Sequence, residues 1–184
     1  MFIWNLSHGG LAAILLLAAV GLSIAGCGAA ATRATAPAAP TDATPSYSAA
    51  IADTRGQVAR ALAVNSLQLQ DARQPFLPPE SASLAAAPRG IFQVLLPDDP
   101  SHGFIVIYEF RDASAAALAG HEQALYIASG PGRVQFPPDT QHLIRQAGTT
   151  LVVYSWSPAN STDERAAAIF TDLGTVGTGI DIPR

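Results

Sequence analysis

Residues 104–110 read Phe-Ile-Val-Ile-Tyr-Glu-Phe, and residues 149–156 read Thr-Thr-Leu-Val-Val-Tyr-Ser-Trp. These two β-branched and aromatic runs decide the fold. The first is apolar at both alternating sets of positions, the pattern of a central strand buried on both faces. Each is also the second half of a hairpin pattern. Gly90–Leu96 precedes the first run across Pro97-Asp98-Asp99-Pro100-Ser101-His102, a turn composition; Gln141–Gln146 precedes the second across Ala147-Gly148. A loop, a capping residue and an alanine-rich helical stretch follow both runs, so the two halves echo each other weakly.

Working outward, Tyr47–Val64 places Ile51, Val58 and Leu62 on one helical stripe, with Asp53, Arg55 and Arg60 mostly away from it. Asn65–Arg89 holds Pro75, Pro78, Pro79 and Pro88, which deny it a helix interior or a central strand; it reads as a long loop draped over the core. Asp112 or Ser114 caps a helix that runs to about Ser129 and stops at Gly130-Pro131-Gly132. Val134-Gln135-Phe136 reads as a short strand. Ser161 or Thr162 caps a helix over Asp163–Leu173, and the glycine-rich tail allows an edge strand at Gly179–Ile182. Two hairpin-then-helix units behind one more helix predict an α+β fold. Its antiparallel sheet has about four to five strands, and about three helices pack mainly on one face, loosely as in ferredoxin-like sandwiches.

The N-terminal segment carries a different message. Leu11–Ile24 is an uncharged apolar run of secretory h-region length, closed by Ile24-Ala25-Gly26-Cys27. This resembles the precursors of bacterial lipoproteins, whose lipobox is an aliphatic residue, two small residues and a cysteine. The resemblance covers only this segment. It implies cleavage before Cys27, lipidation of its thiol, and a domain held on a membrane outside the cytoplasm; several acyl chains at about 0.8 kcal/mol per buried CH2 suffice for that. The n-region MFIWNLSHGG contains no Lys or Arg, and uncharged sequence continues from Gly9 to Thr32, so an uncleaved membrane helix is the alternative. Residues 1–26 are thus read as signal peptide, 27–46 as the lipidated cysteine with an Ala/Thr/Pro spacer, and 47–184 as one domain.

Composition excludes more chemistry than it supplies. All ten basic residues are arginines and the formal charge is −4, so Schiff-base lysines, a Walker lysine and a basic nucleic-acid footprint are absent. Cys27 is the sole cysteine, which leaves the domain no disulfide and no thiol nucleophile. No serine lies in a G-x-S-x-G elbow, and His102, His121 and His142 fall on three different elements. Gly174-x-x-Gly177-x-Gly179 follows a helix instead of a strand, the wrong context for a phosphate loop, and no cofactor is expected.

The residue-level candidate is an aromatic stripe. If the two long strands lie side by side, Tyr108, Phe110, Tyr154 and Trp156 share a sheet face, with Ile105, Ile107, Leu151 and Val153 turned to the helices. The stripe is then either core beneath the Pro-rich loop or a binding face rimmed by Glu109, Arg111, His142 and Arg145. The leading expectation is a lipid-anchored domain that binds a protein or small molecule without transforming it. The alternatives are a hydrolase using His142, Asp139 and a serine, and a structural module of the cell envelope.

Overall fold

The computed structural model describes residues 46–184. Cys27, the lipobox and the spacer up to residue 45 lie outside the described residues. The helices and strands run in the order α1 (Ala49–Ala63), β1 (Leu69–Asp71), α2 (Ala82–Ala86), β2 (Arg89–Val94), β3 (Phe104–Glu109), α3 (Ala113–Ala128), α4 (Gly130–Arg133), β4 (Gln141–Ala147), β5 (Thr150–Trp156), α5 (Arg165–Leu173), β6 (Thr178–Gly179). The six strands form one antiparallel sheet in the order β1-β2-β3-β5-β4-β6. The α+β class and the antiparallel sheet are those read from the sequence. The doubly apolar run, β3, lies at its centre as expected, with β5 beside it.

Local chemistry explains most element ends. The Ser48 hydroxyl accepts from the Ile51 N–H (3.2 Å) and starts α1; the Asp112 carboxylate accepts from the Ala115 N–H (2.7 Å) and starts α3. Neither Ser161 nor Thr162 caps α5: the Asp163 carboxylate takes the Arg165 N–H at 3.0 Å and its guanidinium at 2.6–2.8 Å. The Pro-rich stretch is also less uniform than expected. β1 ends before Pro75, and α2 fits between Pro79 and Pro88, where no proline interrupts five residues.

Two features of the sheet differ from the reading above. It has six strands, because the short edges β1 and β6 extend it. Helices also cover both of its faces. α1 and α5 bring Ile51, Val58, Leu62, Ala166, Ile169 and Leu173 onto Phe92, Val94, Ile105, Ile107, Leu143, Val152 and Tyr154. On the other face, Leu84 of α2 and Ala116, Ala119, Ala124 and Ile127 of α3 pack on Val106, Tyr108, Ile144, Leu151 and Val153. Strands apolar at every position need this cover, since a half-solvated sheet would leave one aliphatic row in water.

The α2/α3 face is closed in pieces. The Pro-rich loop continues the cover: Phe76 stacks on Phe104 (centroids 4.4 Å apart, 6° between planes). Side chains sew the loop down. The Gln123 amide accepts from the Ser81 N–H at 2.6 Å and donates to the Pro79 carbonyl at 3.1 Å. Glu80 takes both the Arg89 guanidinium (2.5 and 2.6 Å) and the Tyr108 hydroxyl. The tail closes the far end. Ile180 N–H reaches the Ile144 carbonyl (3.0 Å), and the Arg145 guanidinium donates to the carbonyls of Val176 (2.7 Å) and Gly177 (2.8 Å).

Candidate functional site

Register decides the fate of the aromatic stripe. β3 and β5 pair Ile105 with Tyr154 and Tyr108 with Leu151, so odd positions of one strand oppose even positions of the other. Partners directly opposite share a face. Tyr108 and Phe110 therefore point to the α2/α3 face, whereas Tyr154 and Trp156 point to α1/α5. The expected common face is corrected: a one-residue change of register moves every side chain of a strand to the other side. The aliphatic alternates divide likewise, Ile105 and Ile107 toward α1/α5 and Leu151 and Val153 toward α2/α3.

The individual residues follow from this placement. Tyr108 and Tyr154 are fully buried. Burial, then the bond to Glu80, pushes the Tyr108 hydroxyl far above its ordinary pKa; burial does the same at Tyr154, which donates to the Ala166 carbonyl at 3.1 Å. Both rings are core with satisfied hydroxyls. Trp156 is half-buried against the α1/α5 core. Arg145 fastens the tail. Glu109, Phe110 and Arg111 line a groove of about 450 Å³ between α2 and α3, where the neighbouring Glu122 carboxylate is already bonded to Ser83 and held below its usual range by that bond.

His142 lies elsewhere, and it leads to the better-formed site. It opens β4 opposite Ser155, and Nδ1 lies 2.9 Å from the Ser155 hydroxyl. The Phe136 ring meets the imidazole edge-on, 4.4 Å between centroids. Burial alone pushes the His142 pKa down to about 4, so the ring is neutral near pH 7. Around it, the end of α3, α4, the Pro137-Pro138 turn and the tail enclose a groove of about 810 Å³, with apolar walls that include Ile127, Val134, Phe136 and Ile182. That volume suits a small organic ligand.

The groove exists because α3 stops abruptly. Ser129 leaves the helical conformation and its hydroxyl caps the one-turn α4 through the Gly132 N–H at 3.1 Å. Gly132 packs against the backbone at Tyr126, where an added Cβ would fall on the carbonyl oxygen. Only glycine permits that approach. The expected strand at 134–136 is a turn instead, because α4 ends at Arg133 and Pro137-Pro138 follows at once. Val134 is left 82% exposed on the rim.

The hydrolase residues do not form a relay. The Asp139 carboxylate accepts from the Ser157 hydroxyl and the Ala159 N–H, each at 2.7 Å, which holds its pKa down, while His142 bonds Ser155. Among the described residues no group of three or more His, Cys, Asp or Glu side chains could hold a metal, and no helix is long and apolar enough to cross a membrane. Sequence reasoning found His142 but missed Phe136, Ser155 and the tail's Ile182 as its surroundings. The available signal was a short apolar patch, Val134 and Phe136, enclosed by Gly-Pro-Gly and Pro-Pro. Apolar residues in a loop of that kind commonly face a ligand or the core. Compared with family models, curated proteins and solved structures, the chain matches none of them.

Proposed function

We propose that this chain is a lipid-anchored extracytoplasmic protein, tethered at Cys27, whose domain binds a small molecule in the groove between α3, α4 and the tail without transforming it. The observation that carries the binding reading is the groove itself: about 810 Å³, apolar walls, and a neutral imidazole held by Ser155 and Phe136. A few fixed polar groups in an apolar concavity orient a ligand. Catalysis would in addition need the imidazole oriented by a third group, and the nearest acid in sequence, Asp139, is bonded to Ser157 and Ala159. The anchor rests on the sequence Ile24-Ala25-Gly26-Cys27.

Two experiments test the two halves. Metabolic labelling with a radioactive fatty acid should mark the wild-type chain and not Cys27→Ala; label that persists in the variant overturns the anchor. Heteronuclear NMR of Ser46–Arg184 against a fragment library should perturb resonances of Phe136, His142 and Ile182. The contact between His142 and Ser155 favours one competing reading, an acyl-transfer enzyme. Ester turnover that disappears in both His142→Ala and Ser155→Ala would establish it and end the binding proposal.

A further inference from the structure

The chemistry of the groove specifies its ligand more closely. Among the described residues, Arg55, Arg89, Arg111 and Arg165 each lie against a carboxylate, and Arg145 is used on backbone carbonyls. Arg133 and Arg184, which both line the groove, have no ion pair among those residues. No acidic side chain lines the groove, although the chain as a whole carries a net charge of −4. Asp139 beside it points its carboxylate at the Ser157 hydroxyl and the Ala159 N–H. The rim therefore offers two guanidinium groups, while most of the wall is hydrocarbon.

A second space adjoins it. Phe136 also lines a small, partly open pocket of about 40 Å³, walled by Phe76, Phe104, Val106 and Val153 beside the Pro-rich loop. Ser155 lines that pocket, while its hydrogen-bond partner His142 lines the groove. The Phe136 ring and the His142–Ser155 pair thus stand where the wide groove and the small apolar pocket meet. A half-buried aromatic ring on a turn can change rotamer without disturbing a helix or strand.

We infer that the ligand is a single-chain anionic amphiphile: a carboxylate or phosphate head held by Arg133 and Arg184, and an acyl chain lying along Ile127, Phe136 and Ile182 with its end directed at Phe136. This inference rests on the proposal that the groove binds a small molecule. Arginine suits either head, because its planar fork matches both carboxylate and phosphate oxygens. The neutral imidazole lets the chain pass without desolvating a charge.

The test uses Ser46–Arg184, which contains both cores, with cooperative thermal unfolding as the folding control for each variant. Binding of octanoate, laurate, palmitate, palmitoyl lysophosphatidic acid, neutral monopalmitin and inorganic phosphate is measured by calorimetry below micelle-forming concentrations. Affinity should rise with chain length from octanoate to palmitate. Arg133→Gln with Arg184→Gln should weaken both anionic lipids about tenfold, the scale of two lost charge-assisted contacts, and leave monopalmitin within about threefold. The ratio of palmitate to lysophosphatidic acid affinity identifies the head. Phe136→Ala should shift the preference toward longer chains. Equal loss for charged and neutral lipids, or binding of phosphate as tight as palmitate, overturns the inference. So does a folded domain that binds no amphiphile. If fragments still perturb His142 and Phe136 in that case, the groove remains a binding site for another ligand class; if nothing perturbs them, the binding proposal fails as well.

Discussion

The two faces of the sheet are built from the same kinds of residue and closed in different ways. The α1/α5 face is covered by two regular helices that set aliphatic side chains on Phe92, Ile105, Ile107 and Val152, all of them essentially without solvent contact. The α2/α3 face is covered by one long helix, two short ones, a proline-rich loop and the tail. Continuous helices fill space at the density of a protein interior. Pieces meeting at angles do so less well: the groove of about 810 Å³ at His142 and the small space under Phe76 lie where those pieces meet, while the grooves of about 430 and 550 Å³ beside α5 and α1 run along the edges of that cover. Open space is left where the cover of a sheet is assembled from irregular parts.

The sharpest way to break this comparison is to truncate a ring on each face. Phe92→Ala on the closed face should cost about 3–5 kcal/mol, the range for a buried ring that leaves a cavity. Phe136→Ala on the groove face should cost only about 1 kcal/mol, because the ring is half-buried. Denaturant titration measures both, and equal losses would mean that the two faces are packed alike.

The next largest effect is expected at the tail. Gly177 has φ +52°, and an added Cβ would meet the Gln146 carbonyl. Gly177→Ala should cost about 1–3 kcal/mol through backbone strain and the loosened β4 edge. Its specific mark is accelerated amide exchange at Ile180, whose N–H bonds Ile144. Unchanged exchange there would separate the tail from the groove wall.

A smaller loss is expected in the sewing of the Pro-rich loop. Tyr108→Phe removes one donor from Glu80 and leaves Arg89 in place, so a cost of about 1–2 kcal/mol follows. Limited proteolysis within 72–80 should quicken. If it does not, the loop is held by Gln123 and the Phe76–Phe104 stack instead.

The smallest effect is a pH dependence. The His142 pKa in the folded chain, about 4, lies below the ordinary histidine value, so the unfolded chain binds the proton first as pH falls. The stability associated with the neutral ring is complete above about pH 6.5 and declines toward pH 4. His142→Gln should flatten the stability curve over that window. A steeper curve in the variant would show that the ring is charged in the native groove.

Much of this architecture was legible in advance. Both hairpins, the three longer helices and the capping role of Asp112 follow from spacing and local hydrogen bonding, which are properties of contiguous residues; the Ser48 cap of α1 was seen only in the structure. The doubly apolar run at 104–110 identified itself as a central strand; that β5 lies beside it was decided by the fold. Their mutual register was not legible. Nothing in either strand records whether Ile105 opposes an odd or an even residue of the other, and that parity separates Tyr108 from Tyr154.

By itself, then, the sequence determined the α+β class, a central strand at 104–110 and the absence of lysine and thiol chemistry from the domain. It also carries the lipobox-like Ile24-Ala25-Gly26-Cys27. The tertiary structure alone decided which residues share a face and where solvent-filled space remains. Phe136, His142, Ser155 and Ile182 come from a turn, two strands and the tail. Short-range chemistry fixes each of those segments, but a groove between them depends on how separately stable pieces meet, and that is set by long-range packing across the sheet.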